Sequence, residues 1–141
     1  MTSLKLKKAA LGLLNNLKMS VPILAGVLLL VGLINTAVPK DLFTKIFTGE
    51  WFLDPIIGAV FGGVAAGNPL TSYIIGGELL KNGVSLVAVV AFILTWVTVG
   101  VVQLPAESMM LGKQFALLRN GVSFVMAILI ALLTVFTMEL V

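Results

Sequence analysis

Pro55 to Gly77 is a run of 23 residues without a charge, yet six glycines and an Asn68-Pro69 pair interrupt it. Proline removes a backbone donor and clashes with the preceding turn, so the run divides at position 69. The piece before the break, Pro55 to Gly67, has 13 residues. At ~1.5 Å each it reaches about 20 Å, short of a hydrocarbon core of roughly 30 Å. The pattern predicts a discontinuous or re-entrant element over 55–82. In membrane proteins such backbone is tolerated where it is packed inside protein or lines a polar cavity.

The residues at the break suit a helix start. Asn68 can cap a second half-helix, Pro69 fits its first position, and Thr71 and Ser72 place hydroxyls in its first turn, followed by Tyr73. A helix start carries a partial positive charge of ~0.5, so it can receive an anionic or strongly polar group. The plain alternative is a kinked helix whose hydroxyls bond back to their own carbonyls. Gly58 with Gly62, and Gly63 with Gly67, are small-xxx-small pairs that let another helix approach closely.

Composition agrees with a bilayer. The 141 residues are 60% hydrophobic and 11% charged, with mean hydropathy +1.16. The net charge of +3 comes from basic residues spread along the chain and densest at the N-terminus, which suits positive-inside sorting better than a nucleic-acid face. Cysteine and histidine are both absent, which excludes disulfides, thiolate metal sites and the common nucleophile–base pairs. No enzyme constellation, cofactor site or metal site is expected. Met109 and Met110 are soft donors, but methionine in apolar helices is usually filler.

Taken in order, residues 1–18 form an amphipathic helix, with Leu6, Ala10, Leu13 and Leu17 on one face, expected to lie in the membrane interface. A signal peptide is set aside because its apolar run would be short and broken by Asn15, Asn16 and Lys18. Residues 19–38 make a charge-free span. Residues 39–54, with Phe43, Phe47 and Trp51 among charges, read as a second interfacial helix. Residues 84–104 form a span carrying Thr95 and Thr98, which either face a pathway or bond to their own carbonyls. Pro105 ends it. An amphipathic segment over 106–120 and a last span over 121–140 follow.

Leu79-Leu80-Lys81-Asn82-Gly83-Val84-Ser85 recurs as Leu117-Leu118-Arg119-Asn120-Gly121-Val122-Ser123, and Pro69-x-x-Ser72 has a looser counterpart in Pro105-x-x-Ser108. Each copy has a cation in a last helical turn, Asn-Gly suited to a left-handed cap, and Ser opening the next helix. Corners of this kind on opposite membrane faces would be an inverted repeat. Generic corner chemistry is the other explanation. If the broken element returns to its starting side, Lys5, Lys7, Lys8, Lys18, Lys113 and Arg119 lie inside and Lys40, Lys45 and Lys81 outside. That sorting favours a cytoplasmic N-terminus. If the element crosses, the sides are nearly even.

The run from Asn68 through Pro105, NPLTSYIIGGELLKNGVSLVAVVAFILTWVTVGVVQLP, preceded by a glycine-rich apolar segment, resembles one half of the predicted permease family that includes the organoarsenical efflux permeases. The resemblance covers roughly Leu33 to Val135 and is most specific from Pro69 through Leu79-Leu80-x-x-Gly83 to Ala91-Phe92. Family members are about twice as long, with two related halves. The resemblance therefore implies a permease that works as at least a homodimer, parallel or antiparallel. In the arsenical exporters cysteines follow the proline; here Thr71, Ser72 and Tyr73 stand there, favouring a hard, polar or anionic solute.

The expected molecule is an all-α integral membrane protein of the cytoplasmic membrane. It has three full transmembrane helices, a discontinuous or re-entrant hairpin, interfacial amphipathic helices and a candidate inverted repeat. Its partners are the lipid bilayer, a second copy, and a small polar solute or ion, with no nucleic acid. Asn68, Pro69, Thr71, Ser72, Tyr73, Pro105 and Ser108 are the candidate substrate site. Glu78 and Glu107 are candidates for ion or proton coupling, unless Glu78 merely pairs with Lys81 and Glu107 caps a surface helix. A channel or a non-transporting scaffold subunit is the alternative.

Overall fold

The computed structural model describes residues 11–12, 17–18, 21–22, 25–26, 28–29, 32–33, 45–65 and 69–140. The chain divides into two compact units, Met1–Ala37 and Val38–Val141. Every described residue of the first unit is helical and exposed. The expected interfacial helix over 1–18 and span over 19–38 lie for the most part outside the described residues.

In the second unit the described residues form helices and no strand. Helix α1, Leu53–Val64, buries a stripe of small residues: Gly58, Ala59, Gly62 and Gly63 follow Asp54 and Pro55 at helical spacing. Its larger residues Ile56, Val60, Phe61 and Val64 remain exposed. Helix α1 begins earlier than the interfacial helix expected over 39–54 allows. Of that segment Lys45 and Ile46 are helical, 47–50 are irregular, and Asp54 stands in the first turn of α1.

The interruption expected near Pro69 is present. Helix α1 stops at Val64, Ala65 is extended (ψ 145°), and helix α2, Pro69–Lys81, starts with the proline. Residues 66–68, Asn68 among them, lie outside the described residues. At 12 and 13 residues, α1 and α2 are each only about 18–20 Å long.

Helix α2 ends in the corner its Asn-Gly foretold. Gly83 takes φ +87°, its N–H donates to the Leu80 carbonyl (3.0 Å), and the Val84 N–H donates to the Leu79 carbonyl (3.1 Å). This is a Schellman closure, with Leu79 and Val84 in the accompanying apolar contact. Ser85 then caps helix α3, Leu86–Thr98, accepting from the Ala88 N–H at 3.4 Å.

Helices α1 and α3 run parallel and nearly touch backbone to backbone. A methyl built on Gly58 would overlap the Ala88 carbonyl, and one on Gly62 would overlap the Phe92 carbonyl and the Thr95 hydroxyl. Farther along, Gly63 faces Val99, and its carbonyl accepts from the Val101 N–H at 3.4 Å. Helix α2 returns antiparallel between these levels, with Gly76 against Val89 and Ile93.

The span expected over 84–104 is helical for only 13 residues. Val99 is extended (φ −108°, ψ 116°), and the N–H groups of Gly100 and Val101 bond to Asn120 Oδ1 and the Gly63 carbonyl instead of continuing the helix. Tertiary acceptors thus win over an unbroken apolar sequence. Helix α4, Leu104–Leu111, ends at Gly112 (φ +89°), and helix α5, Lys113–Glu139, runs 27 residues or about 40 Å. The expected divide between 106–120 and 121–140 therefore falls at Gly112, and Asn120-Gly121 lies inside a continuous helix.

Among the described residues, α5 is the one helix long and apolar enough to cross a membrane by length and composition; α1 and α3 are apolar but shorter. Among the described residues the buried apolar side chains are Ala and Val with Phe92 and Pro55, while Leu, Ile, Phe and Met crowd the exterior. Small residues inside and large ones outside is the arrangement that close helix packing in hydrocarbon permits.

Asp54 and Ser85 mark one end of the unit; Gly63, Gly100 and Asn120 mark the other. The two echoed segments do lie at opposite ends. An inverted repeat is nevertheless not formed, because Pro69 and Pro105 open helices at the same end and the second copy makes no corner.

Replacing Gly58 or Gly62 by Ala is expected to lower stability by about 1–3 kcal/mol, since backbone must move to admit the methyl. Gly77→Ala, where an added methyl meets nothing within 4 Å, is expected to be neutral or to stabilise by up to ~1 kcal/mol. Thermal unfolding in a fixed detergent checks both.

Candidate functional site

The polar residues sort into the two ends of the unit. At the Gly63 end α2 begins with Pro69, and Ser72 is wholly buried with its hydroxyl donating to the Pro69 carbonyl at 2.6 Å. Thr71 is half-buried, and Tyr73 is 61% exposed and turns away from the unit. Pro105 and Ser108 lie at the same end on α4. Ser108 donates to the Leu104 carbonyl at 2.7 Å, four residues back, where Ser72 reaches three residues back to its proline. Pro105, Ser108 and Lys113 border an open groove of about 630 Å³ on the α4 and α5 side.

Register along α2 and α3 adds a residue that the sequence reading passed over. Gly76 sits against Val89 and Ile93, so Ser72, one turn earlier on the antiparallel α2, is level with Trp96, one turn later on α3. The Trp96 indole N–H is buried and has no acceptor among the described residues. Its ring meets Phe92 edge to face at 5.3 Å, which fixes the indole plane. An orphaned buried donor is uncommon enough to require a reason.

Both carboxylates considered for coupling are engaged. Glu78 pairs with Lys81 at 3.2 Å, one turn apart and toward the far end of α2 from Pro69. Glu107 forms an ion pair with Arg119, and its other oxygen accepts from Asn120 Nδ2 at 2.9 Å. Thr95 is fully buried and donates to the Ala91 and Phe92 carbonyls, so it faces α1 and no pathway; Thr98 bonds back to Leu94.

Asn120 is the centre of its end. It is 5% exposed, its Nδ2 donates to Glu107 and to the Ala116 carbonyl (2.9 Å), and its Oδ1 accepts from the Gly100 N–H (2.9 Å). One amide side chain thus joins the α3–α4 turn, α4 and α5. At the opposite end Asp54 is 1% exposed and accepts from the Thr48 N–H (3.1 Å), the Gly49 N–H (3.2 Å) and the Ser85 hydroxyl (2.9 Å). Neither was singled out from sequence. The available signal was Asp54 as the one charge in the otherwise apolar Trp51–Gly77, and Asn120 in the corner motif.

A cavity of about 220 Å³ between α1, α2 and α3 is lined entirely by apolar groups, Phe47, Phe61, Ile75 and Phe92 among them. None of the candidate site residues lines it. Among the described residues no group of acidic residues is placed to hold a metal ion.

Comparison with known proteins finds no match: no family model, no curated protein and no solved structure is similar to this chain.

Asn120→Ala would leave the Gly100 N–H and a Glu107 oxygen without their partners and is expected to cost about 1–3 kcal/mol. Arg119→Ala, which removes a partly exposed ion pair, is expected to cost under ~1 kcal/mol. Denaturation midpoints of the two variants, compared side by side, check the order.

Proposed function

We propose that this chain is a small membrane permease subunit that moves a small polar or anionic solute, working as a homodimer in the cytoplasmic membrane. The observation that carries the reading is the interruption between Val64 and Pro69, where two short helices meet at one end of an otherwise apolar bundle. Each helix is too short to cross alone, and backbone of this kind within a membrane belongs where it is enclosed by protein or meets water. The resemblance to the permease family points the same way. Asn68, Pro69, Thr71 and Ser72 would offer the solute the donor-rich start of α2, and the orphaned Trp96 N–H would add a further donor at the same level. Donors favour a solute that carries acceptor oxygens. Pro105 and Ser108 would approach this site from the second copy.

In this reading the membrane is crossed by residues 19–38, by the α3 segment with its extended ends, and by α5, while α1 and α2 form a re-entrant hairpin. Lys45 and Lys81 flank the hairpin at its Asp54 end, and Lys113 and Arg119 belong to the other, which suits a hairpin returning to its starting side. A non-transporting scaffold is the second reading, favoured by the back-bonded hydroxyls of Ser72 and Ser108. Under that reading Gly58 and Gly62 are not the docking face, since α3 already fills them.

Purified protein reconstituted in liposomes, screened for uptake of small anions and polar organic solutes with and without a pH gradient, tests the proposal. Saturable flux is expected. Trp96→Phe keeps the ring and removes the donor, so it should raise KM about 3–10-fold for a transported solute, the worth of one hydrogen bond. Absence of flux for every solute, from protein that is folded and dimeric, would favour the scaffold.

A further inference from the structure

The apolar cavity of about 220 Å³ has no part in the transport reading, yet its walls are firmly built. Gly58 on α1 and Ala88 and Phe92 on α3, all buried, form its inner side. Residues 45–50 cross in front of the corner as a strap and add Ile46 and Phe47. Phe47 packs on Val84, Ala88 and Val89, the Glu50 carbonyl accepts from the Asp54 N–H at 3.1 Å, and the Asp54 carboxylate accepts from the Thr48 and Gly49 N–H groups. The space between these walls is therefore a fixed feature of the fold.

Water has no hold there. No polar side chain lines the cavity, and a buried water needs two to four polar partners. The volume exceeds the ~150 Å³ of an apolar cavity that takes up a benzene ring, and left empty it would forfeit the dispersion contacts of its lining. Phe61 lines the cavity and is 53% exposed, so the space opens on the outer face of α1, where Ile56, Val60 and Val64 are exposed too. In a bilayer that face meets acyl chains.

The corner end of the opening is basic. Lys45 adjoins Ile46, Lys81 follows Leu79 by two residues, and both lysines are exposed. Lys81 gives one donor to Glu78 at 3.2 Å and keeps the rest. Glu50 and Glu139 border a separate open cavity, together with Ser85 and Val135.

We infer that the cavity holds the acyl chain of a phospholipid from the surrounding leaflet, with its phosphate beside Lys45 and Lys81. The tail supplies the contacts that the lining lacks, and the lysine stems lie along the apolar rim while their ammonium groups reach the headgroup level. Phe92 at the inner end touches Trp96, so the lipid stops about one helical turn short of the candidate solute site. The inference rests on the membrane placement proposed above and not on transport.

Full-length protein in nanodiscs tests it, with a trace of phospholipid carrying a photoreactive diazirine near the end of one tail and, in parallel, a diacylglycerol with the same tail. Labelled residues are mapped by mass spectrometry. Phe47, Ile75 and Phe92 are expected to be labelled by the phospholipid about 5-fold or more above the diacylglycerol, as attraction of a phosphate to basic residues at the surface implies. Lys45→Gln with Lys81→Gln should bring the two probes level. Ile75→Phe, which fills the cavity from α2, should lose the label on Phe47 and Phe92 and keep it on the exposed Ile56 and Val60, which any neighbouring lipid reaches. If Ile75→Phe does not fold, the wild type and the lysine variant decide. Label confined to Ile56 and Val60, or equal label from both probes on the wild type, would overturn the inference and leave transport untouched. A chain that fails to enter the nanodisc would overturn this inference and the membrane placement together.

Discussion

The close approach of α1 to α3 governs the rest of the second unit. Helices whose carbonyls lie against glycine Cα atoms gain dispersion over a wide area, but only if no side chain intervenes, which is why Gly58 and Gly62 meet Ala88 and the backbone of Phe92. Because the two helices are parallel and successive in the helical order save for α2, the chain has to come back between them. A 13-residue α2 makes that return, and it requires a reversal directly after α1. Ala65 to Pro69 supplies it. The interruption is therefore part of the packing, and its function, if transport, has been built on a feature the fold already needs.

Short parallel helices leave irregular backbone at both ends of the bundle, and each end is served by one buried polar side chain. Asp54 accepts from the strap N–H groups of Thr48 and Gly49; Asn120 accepts from the Gly100 N–H, which α3 has given up. The length of α3, 13 residues or about 20 Å, separates them. Between them the buried side chains are mostly Ala, Val and Gly, with Phe92 and with Ser72 and Thr95 bonded back to their own helices. Unpaired amides in such surroundings would each cost a few kcal/mol, so the polar groups at the ends are needed for the apolar middle to exist. The two ends differ in kind: an amide side chain cannot change charge, whereas a carboxylate can.

Much of this was legible in the sequence where the chemistry is local. The break before Pro69, the left-handed corner at Gly83, the cap by Ser85 and the packing role of Gly58 and Gly62 all follow from residues within a few positions of one another. The Glu78–Lys81 pair and the back-bonded Ser72 and Thr95 were the plain alternatives to functional roles, and geometry favours them. What escaped was non-local. The end of α3 at Thr98 is set by Asn120, 20 residues beyond the Gly100 N–H it accepts from, and by the Gly63 carbonyl on another helix. Asp54 read as the tail of an interfacial helix because its partners at 48, 49 and 85 are unreadable as partners until the corner closes. Trp96 carries no signal in the sequence, and only burial of its N–H gives it interest.

The echoed segments show how far such local rules extend. Leu-Leu, a cation, Asn-Gly-Val-Ser makes a sharp corner at 79–85 and about two turns of uninterrupted helix at 117–123. In the first, Gly83 adopts φ +87° and Ser85 has both a helix to cap and the Asp54 carboxylate to donate to. In the second, Asn120 keeps helical backbone because its amide bonds Ala116, Glu107 and Gly100 from that position, and a left-handed turn at Gly121 would pull it away from all three. Among the described residues the echoed motif thus makes one corner where a symmetric carrier needs two related ones. Under the permease proposal the second comes from another copy of the chain, and it has to be brought up to the Gly63 end, where α1 stops and α2 begins, for the two breaks to share a site.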